Sequence, residues 1–98
     1  MIKIENNFDY WHSIYRDPKS KSEDKKLALL QMFKRATDFS TLLKLFNENI
    51  PKGIKVMAFE EMLKVGNIYE LKSLHDSEKN TAKKAVIKKR IIVLETPN

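Results

Sequence analysis

From Phe8 to Leu94 the apolar residues of this chain recur at spacings of three and four, in successive stretches separated by short polar breaks. That period places them on one side of a helix turning every 3.6 residues, so each stretch reads as an amphipathic helix. Only two glycines and three prolines occur in 98 residues, which disfavours sheets built on tight turns. The fold class expected is all-α, with five to six helices.

Length allows one domain, 1–98, and is too short for two. With no cysteine, disulfide scaffolds, thiolate zinc sites, iron–sulfur clusters and cysteine nucleophiles are excluded. A reducing compartment is the natural setting for such a chain. No apolar run approaches the roughly 18 residues of a membrane span. Ile2, Lys3, Ile4 and Glu5 followed by Asn6 and Asn7 form no secretory core, so the expected location is the cytoplasm.

An aromatic helix is expected over 7–16, opened by Asn6 or Asn7, with Phe8, Trp11 and Tyr15 on one side and Pro18 as its stop. A charged linker follows over 17–26, in which Ser22 with Glu23 and Asp24 reads as a helix N-cap. Helical repeats are expected over 27–94 and a tail over 95–98. Within the repeats Asp38 and Asn67 read as N-caps, Pro51 as a first-turn residue and Gly66 as a left-handed C-cap. Ser77 is expected to open the sixth helix.

A shift of 29 residues superposes 27–48 on 56–77 with apolar residues paired, among them Leu27 with Val56, Phe33 with Met62, Leu42 with Leu71 and Leu45 with Leu74. Asp38 falls on Asn67, so the breaks repeat as well as the helices, which a shared helical period alone would not produce. The stretch from Lys55 to Asp76, a helix ending in Gly66-Asn67 and then a leucine-bearing helix ending in aspartate, resembles the short HEAT-like repeats of about thirty residues related to the phycobilin lyase repeats. The resemblance runs over 24–94. It implies a short right-handed α-solenoid of helix pairs that presents a surface; it does not imply a reaction. The proline usual after the glycine–aspartate pair and the arginine that often opens the first helix are missing, which leaves an antiparallel helical bundle as the alternative.

No catalytic, cofactor or metal constellation stands out. His12 and His75 lack a partner at metal-pair spacing, and Glu60 and Glu61 are adjacent, pointing about 100° apart on a helix. Two glycines cannot make a phosphate-cradling loop. The chain is therefore expected not to be an enzyme.

Charge points to binding. The net charge is +6, and no acid interrupts the run between Glu78 and Glu95 that holds Lys79, Lys83, Lys84, Lys88, Lys89 and Arg90. Such an end attracts an acidic protein surface or phosphates. On a helical wheel its basic residues are dispersed, which favours a protein partner over a nucleic acid. The same wheel shows two apolar sectors: Ala82, Ala85, Val86, Ile92 and Val93 in one, with Lys89 falling inside an apolar sector, and Ile87, Ile91 and Leu94 in the other. The first is expected to pack inward. The second, rimmed by Lys83, Lys84, Lys88 and Arg90, is expected to meet an acidic-bordered partner or another copy of the chain. The function expected is that of a protein-interaction adaptor, or a small inhibitor, with nucleic-acid binding as the alternative.

Overall fold

A computed structural model describes residues 7–96. Residues 1–6 and 97–98, and with them part of the expected tail, lie outside the described residues. Those described form six helices and no strand: α1 Phe8–Arg16, α2 Ser22–Arg35, α3 Phe39–Phe46, α4 Lys52–Val65, α5 Ile68–Ser77 and α6 Thr81–Glu95. The all-α expectation holds.

Short helices alternate with long ones, and each short helix packs against the long helix that follows it: α1 on α2, α3 on α4 and α5 on α6. The connections within these pairs are short, 17–21, 47–51 and 78–80, so each pair is a helical hairpin. Contacts between α2 and α3 are sparse by comparison. The long helix α2 begins at Ser22, capped by the Lys21 backbone with no side-chain bond, so 22–26 of the expected linker are helical.

Each short helix opens in the same way. Asn7, Asp38 and Asn67 accept a hydrogen bond from the backbone N–H three residues on, at Tyr10, Thr41 and Glu70. Glu70 returns the contact by accepting from the Asn67 N–H, completing a capping box. These caps stand about thirty residues apart and mark a repeat that begins at Asn7. The aromatic helix is thus the first short helix of the series: Phe8, Phe39 and Ile68 follow the cap in turn, and Trp11, Leu42 and Leu71 point to the core or its margin.

Burial corrects the pairing of the long helices by one residue. Ala28 matches Ala58, Met32 matches Met62, and buried Ala36 matches buried Gly66. Val56 and Met57, the expected partners of Leu27 and Ala28, are both exposed, whereas Ala28 is buried. The reason is the break: Ala36, Thr37 and Asp38 separate α2 from α3, but Gly66 and Asn67 alone separate α4 from α5. From Asp38 onward the shift of 29 applies, and it carries Ala58 and Met62 onto Ile87 and Ile91.

Gly66 has ordinary extended backbone, φ −71°, and is not a left-handed cap. Its missing side chain serves packing, since a Cβ there would lie 2.9 Å from the Met62 carbonyl oxygen, 2.9 Å from Phe39 Cδ2 and 3.0 Å from Leu71 Cδ2. Pro51 stands at the N-cap of α4, and Asn80, three residues beyond the expected Ser77, caps α6 by accepting from the Lys83 N–H.

Cα atoms span 47 × 32 × 17 Å. The smallest extent matches two layers of helices about 10 Å apart. Side-chain links join α1 to α3, where Lys44 Nζ stands 3.2 Å from Asp9 Oδ1, and α4 to α6, where Arg90 Nε donates to the Leu63 carbonyl. The core runs through all three hairpins, from Phe8 and Met32 through Leu42, Leu45 and Met62 to Leu71, Ile87 and Ile91.

Candidate interaction surface

Because α6 repeats the burial register of α4, its inward side is fixed by Ile87 and Ile91, which take the places of Ala58 and Met62. This overturns the expected contact surface. Ile87 is fully buried and Ile91 nearly so, and both belong to the core. Of the expected rim, Arg90 donates from Nε to the Leu63 carbonyl oxygen at 2.9 Å, and Lys83 Nζ sits 5.3 Å from the centre of the Phe46 ring and 5.9 Å from that of Phe59. These two cations therefore hold α6 to the preceding hairpin. Lys84 is half-buried, Lys88 is exposed, and Leu94 lies at the margin, 37% exposed.

The other apolar sector faces solvent. Val86, Ile92 and Val93 are 46%, 50% and 57% exposed, and Ala82, Ala85 and Lys89 share their side of the helix. Lys89 carried the signal: a fully buried helix face does not hold an unpaired ammonium in its middle. Along this side a shallow furrow runs between α5 and α6, lined by His75, Ala85, Val86, Lys88 and Ile92, and a second hollow shares His75, Lys88 and Ile92 and continues to Ile91 and Glu95. The exposed cations leave it positively charged. Asp76, 3.9 Å from His75 Nδ1, and Glu95, paired with Lys72 at 3.1 Å, are acids at its ends.

A second cluster, unforeseen in the sequence because its members lie far apart, gathers at the end of α1. His12 Nε2 approaches Glu48 Oε2 to 2.8 Å without hydrogen-bond geometry, Arg16 Nε lies 3.9 Å from the other oxygen, and the Tyr15 hydroxyl donates to the Asn49 carbonyl at 2.8 Å. Burial first, and then the Glu48 charge, push the Tyr15 hydroxyl above its ordinary pKa, which keeps it a donor. The cluster ties the first hairpin to the 47–51 turn of the second.

Among the described residues no group of three His, Asp or Glu side chains could hold a metal ion, and no helix is long and apolar enough to cross a membrane. No protein-family model, curated protein or solved structure matches this chain.

Proposed function

We propose that the chain is a non-enzymatic, cytoplasmic interaction module: a short right-handed α-solenoid of HEAT-like helical hairpins that binds a protein partner through the open side of α6, as an adaptor or small inhibitor. The observation that carries this reading is the half-exposed row of Val86, Ile92 and Val93 set among lysines at the end of the hairpin series. Three hairpins with equivalent buried positions also support it, because stacked repeats contact only their neighbours and leave the outer face of the third described hairpin uncovered. So does the elongated form, with a radius of gyration of 15.4 Å against about 13 Å for a compact domain of this size.

Binding of nucleic acid is the weaker reading, since Lys83 and Arg90 are spent on contacts within the chain. The test is isolation of the complex from cells expressing the intact chain beside an Ile92→Asp, Val93→Asp variant. A single stoichiometric protein that is lost with the variant supports the proposal. Salt-dependent retention of unrelated DNA in its place rejects it.

A further inference from the structure

The second hairpin shows how a neighbour is received. Its outer side offers the Phe46 and Phe59 rings and the Leu63 carbonyl, and α6 lies over them with Lys83 on the rings and Arg90 on the carbonyl. In the third hairpin the repeat places His75, Lys88 and Ile92 where the second has Phe46, Phe59 and Leu63. These residues line the open furrow, and no helix of the described chain covers them. The geometry is retained, and at the Lys83 place the charge preference is inverted, whereas the Ile92 carbonyl that stands for that of Leu63 is still an acceptor and is taken by Thr96. Where two ring faces take an ammonium, an imidazole and an ammonium now stand, with Lys84 beside them.

We infer that this furrow receives one amphipathic helix of a partner protein, laid as α6 lies on the second hairpin, with Asp or Glu at the place where α6 carries Lys83. The inference rests on the interaction reading above and adds the partner's chemistry. Ala85, Val86 and Ile92 supply the apolar floor, and Lys84 and Lys88 supply the cations that select a carboxylate-bearing helix over a basic one.

The probe is a peptide of residues 80–96 of this chain carrying Lys83→Glu, compared with the unaltered peptide. Against the intact protein the altered peptide should bind at least about tenfold more tightly, and Lys88→Glu in the protein should reverse that order. Methyl signals of Val86 and Ile92 should shift on binding. Equal affinities, an order that Lys88→Glu does not reverse, or binding of neither peptide overturns the inference. A short DNA duplex that shifts the same methyl signals while the altered peptide does not would also overturn it, in favour of a phosphate surface; self-association abolished by Ile92→Asp would do so in favour of a second copy. The two readings fail separately. A Lys88→Glu protein that still yields the stoichiometric complex from cells leaves the interaction module standing and removes the furrow as its seat.

Discussion

Arg90 donates from Nε to the carbonyl oxygen of Leu63, one of the last four carbonyls of α4, which have no partner within their own helix. A guanidinium there also opposes the negative end of the helix dipole. Arg90→Ala should therefore cost about 1.5–3 kcal/mol, the range for a hydrogen bond with a charged partner. Arg90→Lys should recover only part, because an ammonium does not reproduce the planar donor. Chemical denaturation measures both, and an unchanged midpoint for the alanine variant would show that the bond carries no weight.

Gly66 and Gly53 should respond in opposite directions to alanine. A Cβ at Gly66 meets a backbone carbonyl that cannot move aside, so Gly66→Ala should destabilise by about 1–3 kcal/mol through overpacking. Nothing lies within 4 Å of a Cβ on Gly53, in the first turn of α4, and Gly53→Ala should stabilise by about 0.4–1 kcal/mol. Thermal melts of the two variants suffice.

Leu42, Leu45 and Leu71 are at most 1% exposed, and each truncated to alanine should cost about 2–5 kcal/mol. Ile87→Ser should do at least as much damage, since it leaves a hydroxyl in the core as well as a cavity. Lys44 and Lys72 form exposed pairs, with Asp9 and Glu95, Lys44 also lying 5.7 Å from the centre of the Phe8 ring, and their alanine variants should stay within about 1 kcal/mol of wild type. A freely mutable Ile87 would refute the orientation of α6.

Asp38 sets an acid limit. Its hydrogen bonds from Thr41 hold the carboxyl below the usual carboxylate value. A carboxyl that is more acidic folded than unfolded lends stability above its unfolded value, about 3.9, and loses it as the pH falls through the folded one. Asp38→Asn keeps a capping oxygen but cannot titrate, so its stability should vary less across that acid window. Denaturation midpoints from pH 6 down to about 2 provide the comparison.

Helix content, the three Asx caps and the inward leucines of α3 and α5 were legible because each depends on local chemistry: a side chain reaching its own backbone, or a period of 3.6. The phase of the repeat was less so. A cap at Asn7 looks like any helix start until Asp38 and Asn67 are seen to head the same hairpin. The one-residue slip between α2 and α4 follows from a break shorter at Gly66, where the close approach of Phe39 and Leu71 is a tertiary fact. On α6 two apolar sectors competed. Which one turns outward was legible in Lys89, whose ammonium bars its sector from the core, whereas the ring faces and carbonyl that Lys83 and Arg90 find lie on residues far back in the chain. The His12–Glu48 approach was illegible for the same reason.

Hairpins joined end to end place most contacts within one hairpin, and the side-chain links described between hairpins reach only to the next one. Closing such contacts costs little loop entropy, so the chain should fold quickly and without long-range search. It also means that unfolding has a direction. The first hairpin is clasped to the second by Tyr15, His12 and Arg16, whereas no described residue braces the outer side of the third, so amide hydrogens of α6 should exchange before those of α4. Whatever settles on that end would slow the exchange of the whole hairpin, and occupancy would be read as protection spreading inward from residue 96.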